Sequence, residues 1–115
     1  MTRVSIVSAW YNRADHVATS IGSLLAQTHD DLEIIVCDDG STDATLAELR
    51  KFDDPRLIVQ TQANAGFVTT MNRMIASATG DYIAVHGSGD ESLPERIARQ
   101  AAVLDEHPEI GRAHV

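Results

Sequence analysis

The segment Leu32-Glu33-Ile34-Ile35-Val36-Cys37 is apolar at every position except Glu33. An alternating strand can rest one face on water, but a strand like this one must be covered on both. Three shorter runs share its character: Val4 to Ser8, Arg56 to Gln60 and Tyr82 to Val85. Between them the apolar spacing becomes helical. Val17, Ile21, Leu24 and Leu25 share a face within residues 13–27, and Leu46, Leu49 and Phe52 form a shorter stripe. Met71, Met74, Ile75 and Ala78 follow, then Leu93, Ile97, Ala101 and Leu104. The order is β-α-β-α-β-α-β-α. Such alternation calls for a parallel sheet between helical layers. The expected fold is a Rossmann-like three-layer α/β/α domain with a mainly parallel sheet in the order 3-2-1-4.

The punctuation supports this reading. Asn12 or Arg13 is placed to open the first helix, and Asp54-Pro55 to break the second. Gly80 is expected to cap the third helix at its C-terminus. Ser92 and Glu95 read as a capping box, with Pro94 in the first turn. Residues 110–115 read as the start of a fifth strand.

Composition removes several classes of function. A chain of 115 residues is expected to be one domain, spanning 1–115. Nine basic and seventeen acidic residues give a net charge of -8, which argues against a broad nucleic-acid or anionic-membrane surface. The single cysteine, Cys37, excludes a disulfide framework within the chain and a multi-cysteine zinc site. No apolar run approaches the ~20 residues of a membrane span. Val4 follows the N-terminus without a signal-peptide pattern. A cytoplasmic protein is expected, at the inner membrane face if a longer parent protein carries it there.

In an open parallel sheet, ligands bind beyond the carboxyl ends of the strands. The segments there are Ala9-Trp10-Tyr11-Asn12, Asp38 to Asp43, Gln62 to Gly66 and His86 to Glu91. All four carry polar or glycine residues, and the topology brings them to one crevice. Gly87-Ser88-Gly89 lacks the third glycine of a dinucleotide fingerprint, and no lysine follows it as in a P-loop. The five histidines form no close pair and read as surface or structural groups. Cys37 reads as a buried inert thiol and the Met71/Met74 pair as core. Asp38-Asp39 suits a turn and a helix start, yet adjacent carboxylates repel unless a donor or cation uses them. One of them is able to accept from a base ring N–H while Tyr11 or Trp10 stacks on the base. Successive side chains point to opposite sides, so Asp39 is expected to face the nucleotide, with little consequence for stability, and Asp38 a neighbouring loop.

The ordered set of segments is similar to the start of a family 2 glycosyltransferase. The matching stretches are Val4 to Asn12, Ser23-Leu24-Leu25-Ala26-Gln27-Thr28, Leu32 to Asp43, Asn64-Ala65-Gly66, Asn72-Arg73, Gly80 to Ile83 and Leu93-Pro94-Glu95-Arg96-Ile97. The resemblance covers nearly the whole chain. It implies the nucleotide-binding half of the GT-A fold. It also implies transfer of a sugar, usually with inversion, from a nucleotide diphosphate sugar to an acceptor hydroxyl. By position, Ala9, Tyr11 and Asn12 would lie about the base and ribose, and Asp39 would accept from the base N–H, commonly uracil. Asn64 and Gly66 would lie along the same side. The acceptor would be a saccharide or a lipid-linked saccharide; nucleic acid is not implied, and a homo-oligomer is left open.

Two departures qualify the resemblance. The family's Asp-x-Asp element, which helps hold Mg²⁺ or Mn²⁺ on the diphosphate, falls on Gly87 and Gly89. Only the next residue, Asp90, remains as a candidate metal ligand, and metal dependence is expected to be weak or absent. Uridine is then expected to bind nearly as well as its diphosphate. The second departure is length. The family's acceptor site and catalytic base come from sequence beyond these positions, so this chain alone is expected to be inactive and to supply the donor-binding half. The alternative is a non-catalytic nucleotide-binding or assembly module on the same fold. A phosphoryl-transfer domain built on Asp38-Asp39 fits less well. Gly40 and Ser41 stand where a haloacid-type site needs its second Asp, and Lys51 is the only lysine.

Overall fold

The four apolar runs form four strands, all parallel. In the computed structural model, which describes residues 2–107, β1 spans Val4–Trp10, β2 Leu32–Asp39, β3 Leu57–Gln62 and β4 Tyr82–Val85. The strand order is β3-β2-β1-β4, as expected. Val4 pairs with Leu32 and with Tyr82, which aligns three strands at their N-terminal ends. The expected fifth strand at 110–115 lies outside the described residues.

Helices cover the sheet unequally. Helices α1 (Val17–Leu25), α2 (Thr45–Leu49) and α4 (Arg96–Asp105) share one face. There Val17, Ile21, Leu24, Leu49, Ile97 and Ala101 pack on Val4, Ile6, Trp10, Ile34, Val36 and Ala84. Helix α3 (Phe67–Ser77) covers the other face with Met71 and Met74 against Val7, Ile35, Cys37 and Ile83. Each Val, Leu, Ile and Met side chain among these contributes roughly 1.5–3 kcal/mol when fully buried. The period-2 alternation of β1 is thus a division between two cores rather than between core and water. Burial pushes the Cys37 thiol up, as suits the inert core residue expected.

Helix starts depart from the local signals. Residues 13–27 do not form one helix. Ala14–His16 is a single 3-10 turn, and α1 begins at Val17. Asn12 adopts φ 49°, so the chain turns sharply before any helix begins. The capping box at Ser92 and Glu95 does not form, and α4 starts at Arg96. Instead, the Ile97 N–H donates to Oε1 of the buried Gln27 at 3.1 Å. Ser92 Oγ is engaged with His86 Nδ1 and Arg96 Nη1. A tertiary partner has replaced the local one. Gly80 is not the cap of α3, which ends at Ser77. A Cβ at Gly80 would lie 2.6 Å from the Ser5 nitrogen, so glycine here permits close approach of β1.

The sheet's N-terminal end is pinned by the buried Glu33. Its Oε2 accepts from Ser5 Oγ at 2.6 Å, the Thr79 N–H at 2.9 Å and Thr79 Oγ1 at 3.0 Å. Burial alone raises this carboxyl, but these bonds outweigh it and hold the group below its ordinary value. The one polar position in the Leu32–Cys37 run is therefore satisfied and anchors the α3–β4 connection.

Gly22 offers a simple check of the helical layer. It sits inside α1 at ordinary helical φ, and a Cβ there would meet nothing within 4 Å. Gly22→Ala should raise the unfolding free energy by about 0.5–1 kcal/mol through a less free unfolded chain. A lower urea midpoint at unchanged slope would show that α1 packs more tightly here than described.

Candidate functional site

The carboxyl ends of the strands meet at a crevice of about 520 Å³. It is lined by Ala9, Trp10, Tyr11 and Arg13 after β1, Asp39 at the end of β2, and Asn64, Gly66, Phe67 and Met71 from the β3–α3 region. Val85, His86, Gly87 and Ser88 complete it from β4. Sheet order reverses between β1 and β4, which is where an open α/β sheet binds its ligand.

Asp38 and Asp39 are the last two residues of β2, pairing with Thr61 and Gln62, rather than a turn after the strand. Their side chains therefore diverge. Asp38 accepts from Ser41 Oγ at 2.5 Å and the Ser41 N–H at 3.3 Å, closing the turn that leaves the strand. Asp39 turns towards the β3–α3 loop. Its Oδ1 accepts from the Ala65 N–H at 2.7 Å and Gln62 Nε2 at 3.0 Å. Its Oδ2 accepts from the Gly66 N–H at 3.1 Å, with Asn64 Nδ2 at 3.4 Å. Asn64 Nδ2 also donates to the Asp39 carbonyl at 3.0 Å. Burial acts to raise the Asp39 carboxyl, but bonds from Gln62, Ala65, Gly66 and Thr70 hold it below the ordinary aspartate value. Asp39 thus organises the loop that carries Asn64 and Gly66. The long Asn64 contact leaves Oδ2 as the oxygen best able to accept from a ligand.

Of the residues expected at the site, Ala9, Tyr11, Asp39, Asn64 and Gly66 come together in the crevice. Asn12 does not line it. Its Oδ1 accepts from the Thr42 N–H at 2.8 Å, so it ties the β1–α1 loop to the β2–α2 loop. The two aromatics considered for stacking separate cleanly. Trp10 is 1% exposed and its Nε1 donates to Ser8 Oγ at 2.9 Å, so its ring belongs to the core. Tyr11 is 47% exposed at the mouth of the crevice. Phe67, 67% exposed, was not foreseen; it lies one position past Gly66, outside every motif. In the sequence Arg13 signals only a helix start, because its place on the crevice follows from the turn at Asn12.

Asp90 does not line this crevice. With Val85, His86, Glu91, Ser92 and Arg96 it lines a neighbouring cavity on the β4 edge. His86 joins the two cavities as a buried strut. Its Nε2 meets Ser20 Oγ at 2.8 Å and its Nδ1 meets Ser92 Oγ at 2.9 Å. Burial holds the imidazole below its ordinary value, and the Arg96 charge adds to this. It is the structural histidine that was expected.

Residues 5–112 match the profile of Glycosyl transferase family 2. The chain belongs to this family. Among relatives of the family, EpsE of Bacillus subtilis is 36% identical over 109 residues, covering 91% of this chain and 39% of that protein. The UDP-Glc:alpha-D-GlcNAc-diphosphoundecaprenol beta-1,3-glucosyltransferase WfaP of Escherichia coli is 37% identical, covering 91% of this chain and 42% of its own length. The crystal structure of S. aureus TarS 1-349 in complex with UDP-GlcNAc superposes with a TM-score of 0.86 at 28% identity. That match covers 91% of this chain and 32% of the TarS chain. The chain is therefore similar to well under half the length of these glycosyltransferases. The fold is that of the GT-A neighbours. Among the described residues no helix is long and apolar enough to cross a membrane.

Proposed function

We propose that this chain is the donor-binding portion of a glycosyltransferase that takes a uridine diphosphate sugar. The carrying observation is the crevice itself, where residues from four strand ends meet beside the exposed Tyr11 ring and an organised acceptor oxygen. Tyr11 supplies the stacking face for the base, and Asp39 Oδ2 accepts the base N–H while the same carboxylate holds Asn64 and Gly66 in place. Ala9, small and half-buried, leaves room beside the ribose. The UDP-GlcNAc complex of TarS and the UDP-Glc donor in the name of WfaP favour uridine over other bases.

In the transfer, the acceptor hydroxyl oxygen bonds to the anomeric carbon of the donor sugar. The bond from that carbon to the diphosphate oxygen breaks, and the diphosphate leaves with the electron pair. The hydroxyl proton passes to a base. Inversion follows from attack opposite the leaving group. The residues gathered here bind and orient the donor; the base, the acceptor site and transfer itself are assigned to sequence beyond this chain. Gly87 and Gly89 keep a second reading alive, a module that binds nucleotide without transfer. Transfer by a longer form of the protein separates the two.

Titration calorimetry with uridine, UDP and GDP tests the donor assignment. Tyr11→Ala should weaken uridine by about fivefold to a hundredfold, the worth of one base stacked on an aromatic ring. Unchanged uridine affinity in that variant, or equal affinity for GDP and UDP, overturns the assignment of the base site.

A further inference from the structure

A bound diphosphate poses a charge problem for a chain at -8. The route implied by the resemblance is a divalent ion held by the second carboxylate of the Asp-x-Asp element, where this chain has Gly89. The backbone at position 89 is set against that route. Gly89 has φ +88°, a conformation that strains any side chain, and a Cβ there would be in ordinary contact with His16 Cβ at 3.5 Å and Arg13 Nη1 at 3.7 Å. A Cβ at Gly87 would lie 2.6 Å from Asp90 Oδ2, so any side chain there requires the Asp90 carboxylate to move. Among the described residues no three His, Cys, Asp or Glu side chains form a group able to hold a metal ion. Hard divalent ions want several oxygen ligands, and just after β4 the carboxylates on offer are Asp90 and Glu91, which line the neighbouring cavity rather than the crevice.

We infer that the Arg13 guanidinium, placed against the Gly87–Gly89 loop, takes the electrostatic place of the metal ion and binds the donor's diphosphate directly. This rests on the nucleotide diphosphate reading above. Arg13 lines the same crevice as Tyr11, Asp39, Gly87 and Ser88. Its root is fixed: its N–H donates to Thr45 Oγ1 at 2.9 Å, and its carbonyl accepts from the His16 N–H at 3.0 Å. Its head is uncommitted. Among the described residues, Arg3, Arg56 and Lys51 pair with carboxylates, Arg73 and Arg96 donate to Gln62 and Ser92, and Arg50 and Arg99, though unpaired like Arg13, do not line the crevice. The guanidinium of Arg13 makes no such contact, although Asp15 and Asp43 line a second cavity with this residue. A guanidinium fork matches phosphate oxygens in pairs, which makes it a strong phosphate partner without an ion. Glycine at 87 and 89 then has a positive role. It keeps side chains away, so phosphate is able to approach the loop backbone and the arginine together.

The expectation that uridine binds as well as its diphosphate changes accordingly. Calorimetric titration of the chain with uridine and UDP, first in EDTA and then in Mn²⁺, is the test, with Arg13→Ala and Arg13→Lys alongside. In EDTA, UDP should bind about tenfold or more tighter than uridine, from charge-assisted bonds to arginine. Arg13→Ala should bring the two ligands to about the same affinity while leaving uridine affinity and melting temperature unchanged, because the lost contacts are to phosphate alone. Arg13→Lys should restore part of the gap, as a point charge without the fork. A gap that survives Arg13→Ala overturns the inference. So does a gain of about tenfold on adding Mn²⁺ that Asp90→Ala removes, since that is the signature of a held ion. Uridine binding with UDP no tighter defeats this inference alone; binding of neither ligand defeats the nucleotide reading with it.

Discussion

Asp39→Ala should lose roughly 2–4 kcal/mol of stability along with most nucleotide affinity, because two backbone donors are stranded at once. The Ala65 and Gly66 N–H groups both end on this carboxylate, at 2.7 and 3.1 Å, and Asp39 is only 6% exposed. Water has little room to replace it. The melting temperature should fall by on the order of 10 °C for a domain of this size. Asp39→Asn should fall between, since it keeps one acceptor oxygen but turns an NH₂ towards a donor. The sequence alone suggested a ligand contact of little structural weight, and the hydrogen bonds of the β3–α3 loop reverse that weighting. The acid limb follows in sign. The folded pKa is depressed, so the contribution is complete above the unfolded aspartate value of about 3.9 and drains away as pH falls through the folded value. Asp39→Asn should flatten that part of the stability-against-pH curve. An Asn variant that melts with the parent and keeps the same acid limb would show that the loop is held by something else.

The difference between what was legible and what was not lies in the range of the interactions. The β/α order and the 3-2-1-4 sheet were readable because runs such as Leu32 to Cys37 and stripes such as Val17, Ile21 and Leu24 repeat a local period. The crevice was readable because topology alone sends all four strand ends to one edge. Helix starts were not. Ser92, Pro94 and Glu95 form a good local signal, but Ser92 Oγ has a stronger engagement with His86 and Arg96, and Gln27 caps α4 from 70 residues away. Asp38 and Asp39 were correctly set facing different ways by the alternation of an extended chain. What alternation does not give is the partner. The Ala65 and Gly66 amides reach Asp39 only because β3 lies beside β2 in a particular register. The place of Arg13 is hidden from the sequence for a similar reason. The left-handed turn at Asn12, held by Ser41 and Thr42 from the next loop, decides where residue 13 goes.

Gly40→Ala should be among the most damaging single-methyl changes in the chain, and comparison with Gly66→Ala shows why. Both glycines have positive φ, at +71° and +91°. Strain alone costs about 1–3 kcal/mol at either position. They differ in surroundings. A Cβ at Gly66 would meet nothing within 4 Å, so Gly66→Ala should lose only the strain. A Cβ at Gly40 would lie 2.5 Å from the Asn64 backbone nitrogen and 3.1 Å from its Cα. Backbone cannot swing aside as a flexible side chain does, so one of the two loops must move. Overpacking of this kind adds about 1–3 kcal/mol, for a total of roughly 2–5 kcal/mol. The displacement also has a direction. It pushes Asn64 away from β2, stretching the bonds from Asn64, Ala65 and Gly66 to Asp39 and opening the base side of the crevice. Gly40→Ala should therefore lose uridine affinity under conditions where the variant is still fully folded, whereas the larger effect of Gly66→Ala should be on the melting temperature. Denaturant unfolding and calorimetry on the two variants separate these outcomes. If Gly40→Ala is no less stable than Gly66→Ala and binds uridine as the parent does, the close approach of Gly40 to Asn64 does not hold the site together.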